Sequence, residues 1–169
     1  CLIGMIFVCA MTMAQTNAYP LLPMPQNYKV TDKSFAMGKV KLSTPVLKSE
    51  WEAFIVNAGG ELADKAAAEI KVELLPVIDG VKLNPDEAYR LSVSGKLIKI
   101  EAVTERGVYW ALQTLRQLEK KKGKKSLFAG CEIVDWPAFR IRGFMQDVGR
   151  SYISVEELKR EIEILSRSK

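Results

Sequence analysis

The stretch from Glu87 to Leu118, EAYRLSVSGKLIKIEAVTERGVYWALQTLRQL, decides the fold. Tyr89, Leu91 and Val93 alternate with Arg90, Ser92 and Ser94, the period of a strand with one face buried. Gly95-Lys96 then makes a tight turn, and Leu97, Ile98, Ile100 and Ala102 carry the second strand of a β-hairpin. Beyond the hairpin the period lengthens. Val108, Ala111, Leu112, Leu115 and Leu118 recur at helical spacing behind Thr104, whose hydroxyl is placed to cap the helix. Two strands followed by a helix that must bury one stripe against them predict an α+β domain, an antiparallel sheet with helices on one face.

Towards the N-terminus, Lys71 to Leu75 alternates as a half-buried strand, and Pro76 to Pro85 is a turn region with Asp79-Gly80 at its tip. Trp51 to Ile70 is rich in helix formers but broken at Gly59-Gly60, which predicts two short helical pieces or one helix with an interrupted middle. Short strands are expected around Phe35 to Met37 and Val40 to Leu42, and the three prolines of Tyr19 to Tyr28, YPLLPMPQNY, impose an extended start.

Towards the C-terminus, Gly123 in the run KKKGKK is expected to stop the helix, and Leu127 to Val134 suits one further strand. At Asp135-Trp136-Pro137 the character changes. Ile141 to Asp147 reads as a strand, and Ser154-Val155-Glu156-Glu157 is a capping box flanked by Ile153 and Leu158 in the positions of a hydrophobic staple. Val155, Leu158, Ile162 and Leu165 then form the apolar stripe of a helix running to about Ser166. A single strand and helix cannot build a core of their own.

Of 169 residues, 48% are hydrophobic and 27% charged, the composition of a globular chain. Histidine is absent, which excludes Ser-His-Asp and Cys-His nucleophile systems and His-ligated zinc built from this chain alone. Cys1 and Cys9 fall in an apolar leader, so Cys131 has no internal disulfide partner in the remainder. The net charge of +5 equals the lysines of KKKGKK, so the rest of the chain is neutral. That run reads as a solvated turn rather than an anionic-ligand patch, and it lacks the aromatic interleaving of single-strand binders, so no nucleic-acid partner is expected. Residues 1 to 28 carry no charge, and Leu2 to Val8 is too short to span a bilayer. Residues 1–14 are therefore expected to be part of a secretory signal cleaved after Ala14, with Ala18 as second choice, leaving no stable membrane span.

Asp147-Val148-Gly149-Arg150-Ser151-Tyr152 is where a carboxylate, a guanidinium, hydroxyls and a flexible glycine converge between a strand and a helix. The arginine fork could grip sugar hydroxyls, a carboxylate or a phosphate, or Asp147 and Arg150 could form a plain ion pair. Arg140 and Arg142 share one face of the expected strand, and Arg142 reads as a structural residue paired with Asp147 or with a later one. Asp86-Glu87 stand in a turn and read as surface charges, so the two separated carboxylates of ordinary glycoside hydrolysis are not supplied.

Three stretches together resemble the family-20 glycoside hydrolases, the β-N-acetylhexosaminidases. YPLLPMPQNY with Ser34-Phe35 is similar to the family's opening, Glu87 to Leu118 to the end of its α+β N-terminal domain, and DWPAFRIRGFMQDVGRSYISVEELKREIEILSRSK, residues 135–169, to the first strand and helix of its barrel. The resemblance implies residues 15–134 as the α+β N-terminal domain and 135–169 as the start of a truncated TIM barrel. It implies a secreted or periplasmic enzyme that needs no cofactor or metal. Its substrate would be a glycan with terminal β-linked N-acetylglucosamine or N-acetylgalactosamine, hydrolysed with retention through the substrate's own acetamide. The family's adjacent Asp-Glu pair belongs to the fourth barrel strand, so no catalytic residue is expected within these 169 residues, and they are expected to be inactive alone. Arg150 matches the arginine of the family's D-x-x-R motif, which binds hydroxyls of the terminal sugar. Asp147 matches its acid, in an orienting role, and Arg142 supports them. This chain departs at Gly149 and Ser151, where many relatives carry Ser and His. A rival reading is a non-catalytic glycan-binding or interaction module, which would carry a last helix polar on every side, unlike the stripe of Val155, Leu158, Ile162 and Leu165.

Overall fold

The computed structural model describes residues 20–168, so the expected signal segment and its cleavage sites lie outside the described residues. In chain order the elements are strands β1 (Asn27–Val30), β2 (Phe35–Ala36) and β3 (Lys39–Ser43), helix α1 (Lys48–Asn57), strands β4 (Glu61–Leu62), β5 (Ala68–Leu74), β6 (Tyr89–Ser94) and β7 (Leu97–Ala102), helix α2 (Glu105–Gln117), strands β8 (Glu119–Lys122), β9 (Lys125–Phe128) and β10 (Cys131–Asp135), and helix α3 (Val155–Leu165). A short 3-10 turn, Pro85–Glu87, precedes β6.

The hairpin β6–β7 is the centre of the fold. Leu91 faces Ile100 and Val93 faces Ile98 across it, all buried, while Arg90, Ser92 and Lys99 lie on the half-exposed side. α2 packs over β6 and β7 with Val108, Ala111, Leu112 and Leu115 fully buried, and the Thr104 hydroxyl accepts from the Arg106 amide as the expected cap. The opposite face of the sheet carries charges. Lys99 bridges Glu73 at 3.1 Å and Glu101 at 2.7 Å, and Lys71 meets Glu73 at 2.6 Å.

The sheet is mixed rather than antiparallel. Its order is β1-β10-β6-β7-β5-β3-β4, antiparallel from β1 to β7 and parallel from β7 to β4. Parallel neighbours need a crossover, and the chain supplies two. α1 lies between β3 and its parallel partners β4 and β5, and the excursion through residues 75–88 into β6 returns β7 parallel to β5. A second sheet, β2-β9-β8, is antiparallel throughout and packs Phe35 and Phe128 edge to face at 6.4 Å.

Four other expectations change. Residues 61–70 form no second helical piece. The Gly60 amide donates to Ile55, after which the Glu61 and Ala63 amides donate to Gly38 and Val40, so the backbone is committed to the sheet. Gly59 makes the turn at φ 76, where a side chain would meet the Lys124 carbonyl at 2.0 Å. The lysine run does not end α2, which stops at Gln117. Lys120 to Lys122 and Lys125 sit in the hairpin β8–β9, turned at Gly123 with φ 63. Leu127 to Val134 divides at Ala129-Gly130, where the Gly130 carbonyl accepts from Thr31. Ile141 to Asp147 is not a strand. It is irregular and exposed, because no described segment lies alongside to complete a ladder. The first strand of a barrel is thus not formed here, although the capping box of α3 is present in both directions.

Candidate functional site

Three side chains far apart in sequence meet where the α+β body hands over to the C-terminal segment. The 3-10 turn places Glu87 against the first turns of α2, and its Oε2 accepts from the Trp110 indole at 2.8 Å and from Arg142 Nη2 at 2.5 Å. The Arg142 guanidinium lies over the Trp110 ring, 5.6 Å from the centroid, and also donates to the Phe139 carbonyl. Glu87 is buried, at 8% exposure. Burial alone would raise its pKa, but the hydrogen bonds from Arg142 and Trp110 outweigh it and hold the carboxyl below its ordinary value. The carboxylate is therefore charged and fixed, with two donors and a cation over an aromatic ring.

Arg142 is the supporting residue the sequence singled out, and among the described residues it pairs with Glu87 rather than with Asp147. It turns back by 55 positions to Glu87, which is no surface charge. Asp147 and Arg150 do meet. Asp147 Oδ2 lies 3.3 Å from Arg150 Nε, and its Oδ1 accepts from the Gly149 amide at 2.8 Å. Both are exposed, the Arg150 side chain to 93%. The structure thus separates the named residues into an exposed loop, Asp147 with Arg150, and a half-buried clasp at Arg142.

A second buried network braces the same handover. The Tyr89 hydroxyl donates to Asp135 Oδ2 at 2.9 Å and lies 2.5 Å from the Thr114 hydroxyl, tying β6, β10 and α2 together. Asp135 Oδ1 accepts from the Gln26 amide, so the N-terminal extended segment is held too. Burial raises the Tyr89 pKa well above its ordinary value, so it stays a neutral donor. Glu87, Trp110, Tyr89 and Thr114 were not legible as site residues. The one signal was Tyr109-Trp110 lying off the apolar stripe of α2, which marks a second contact face. No cluster of three His, Cys, Asp or Glu able to hold a metal occurs among the described residues, and none of their helices is long and apolar enough to cross a membrane.

Comparison with known proteins agrees with this architecture. The model for domain 2 of glycosyl hydrolase family 20 matches residues 18–136. A β-hexosaminidase of Porphyromonas gingivalis is 28% identical over 165 residues, 88% of this chain and 21% of that protein. One from Vibrio furnissii is 35% identical over 106 residues, 63% of this chain and 16% of that protein. The structure of a family-20 exo-β-N-acetylglucosaminidase from Vibrio harveyi, in complex with N-acetylglucosamine, aligns with a TM-score of 0.70 at 33% identity, covering 90% of this chain and 24% of that one. A β-N-acetylhexosaminidase from Bacteroides fragilis, 23% identical with a TM-score of 0.67, shares the fold over 87% of this chain and 31% of its own. The present chain thus spans about a fifth of the curated relatives it matches. With its mixed sheet, its hairpin-and-helix centre and the match over 18–136, the chain belongs to glycosyl hydrolase family 20 and contains that family's domain 2.

Proposed function

We propose that this chain is the N-terminal part of a secreted or periplasmic β-N-acetylhexosaminidase. The intact enzyme removes terminal β-linked N-acetylglucosamine or N-acetylgalactosamine from glycans with retention of configuration, the substrate's acetamide oxygen acting as nucleophile, without cofactor or metal. Residues 135–169 begin its TIM barrel, and Ile141 to Asp147 becomes the first strand once neighbouring strands lie beside it. Similarity to family-20 enzymes over more of the chain than domain 2 supports this assignment.

The observation that carries the reading is the Asp147-Arg150 pair. Asp147 Oδ2 lies 3.3 Å from Arg150 Nε and its Oδ1 accepts from the Gly149 amide, and the Arg150 side chain is 93% exposed, which leaves a planar guanidinium accessible to vicinal sugar hydroxyls. Asp147 orients and Arg150 binds. The chemistry falls to the adjacent Asp-Glu pair of the complete barrel.

The intact protein is expected to hydrolyse an aryl β-N-acetylglucosaminide. An N-trifluoroacetyl substrate, whose amide oxygen is a poorer nucleophile, is expected to turn over far more slowly. Arg150→Ala is expected to lower kcat/KM by about tenfold to several hundredfold, the loss of one or two charged hydrogen bonds. Unchanged kinetics would remove Arg150 from the role, and an inactive wild-type enzyme would overturn the whole reading.

A further inference from the structure

We propose that Glu87, a residue of the α+β domain, is a positioning residue for the active site, acting through Arg142 and Trp110 to set the segment that carries Asp147 and Arg150. This rests on the reading of Arg150 as the sugar-binding residue.

Within segment 138–152, Arg142 reaches back to the α+β body through hydrogen bonds to both carboxylate oxygens of Glu87. The segment is otherwise exposed, with Ile141, Met145 and Tyr152 at 90% or more. Arg142 stands five positions before Asp147 and eight before Arg150. An error in its placement therefore passes along the same short stretch of backbone to the sugar-binding fork. The clasp is built for direction as well as attachment. Glu87 Oε2 accepts from both partners, the Trp110 indole fixes the carboxylate, and the same ring provides a flat seat for the guanidinium. Glu87 itself lies on the turn between Pro85 and β6, with the Ala88 amide donating to the Pro85 carbonyl, so it is fixed to the central hairpin. A half-buried ion pair adds little net stability compared with a well-packed apolar pair, yet it constrains geometry in a way that apolar contact does not. A domain otherwise made of packing residues thereby gains a defined part in substrate recognition.

The test is a double-mutant cycle in the full-length enzyme, using Glu87→Gln, Arg142→Lys and Arg150→Ala on an aryl β-N-acetylglucosaminide. Glu87→Gln is expected to lower kcat/KM by on the order of tenfold to a hundredfold, the scale of a misplaced binding group. In the Arg150→Ala background it is expected to cost little, because the fork it positions is gone. Glu87→Asp, which keeps the charge, is expected to recover part of the loss. Arg142→Lys keeps the charge but not the fork and provides an independent route should Glu87→Gln fold poorly. Wild-type kinetics for Glu87→Gln or Arg142→Lys would overturn the inference, as would losses fully additive with Arg150→Ala. Those results would leave the assigned activity standing, whereas an inactive wild-type enzyme would remove both.

Discussion

Glu87 carries a pH signature that separates the clasp from ordinary surface charge. Its carboxyl is held below the ordinary value of 4.5, because the hydrogen bonds from Arg142 and Trp110 exceed the cost of burial. The unfolded chain therefore binds the proton more readily than the native one. The clasp contributes in full above about pH 4.5, and that contribution is lost as pH falls through the native pKa. Thermal unfolding of wild type and Glu87→Gln should differ by about 1–3 kcal/mol near neutrality, and the gap should close on acidification below pH 4.5. A gap that stayed constant would contradict the ionised state. From the sequence, Asp86-Glu87 looked like two solvated charges in a turn. What distinguishes them is a partner 55 positions away, and no local pattern carries that information. Asp147 and Arg150 were legible because they lie three apart in one loop, and so was their ion pair.

At the scale of elements, α2 offers a test in which helix propensity and packing oppose each other. Replacing a helical glycine by alanine ordinarily stabilises by about 1 kcal/mol. At Gly107 the new methyl would stand 2.2 Å from the Ala88 carbonyl, in backbone that leads directly into β6. Gly107→Ala is therefore expected to destabilise by about 1–3 kcal/mol in urea unfolding, and a gain would mean that the helix can lift off the hairpin. The elements that were legible share one property. The hairpin, α2 with its Thr104 cap and α3 with its capping box are each specified by residues close together in the sequence. Residues 61–70 were not, because their strong helix formers yield to parallel pairing with β3. The lysine run was not, because lysine has little preference for a strand and is drawn into one by pairing of β8 with β9, while Lys121 donates to the Asn57 carbonyl. Ile141 to Asp147 has a strand's composition, but a strand also needs a neighbour.

For the whole molecule, stability should be distributed unevenly along the chain. The body has a main core running from Leu21 to Ile133 and a smaller cluster at Ile78, Ala88 and Trp136, whereas the residues of segment 138–152 are exposed. Native-state hydrogen exchange of this chain should show the amides of β6, β7 and β10 exchanging only on global unfolding, with those of 138–152 exchanging orders of magnitude faster. Protection of the segment equal to that of β7 would mean that it is docked more firmly than Arg142 alone can explain. The pairing of β1 with β10, which sets Asn27 opposite Val134, has a further consequence. The first and last strands of this body are thus adjacent and antiparallel, about 5 Å apart. Such a body behaves like a cassette on a hinge pin. Whatever precedes it is delivered to the doorstep of whatever follows, and its interior can lengthen or shrink over evolution without shifting the register of either neighbour.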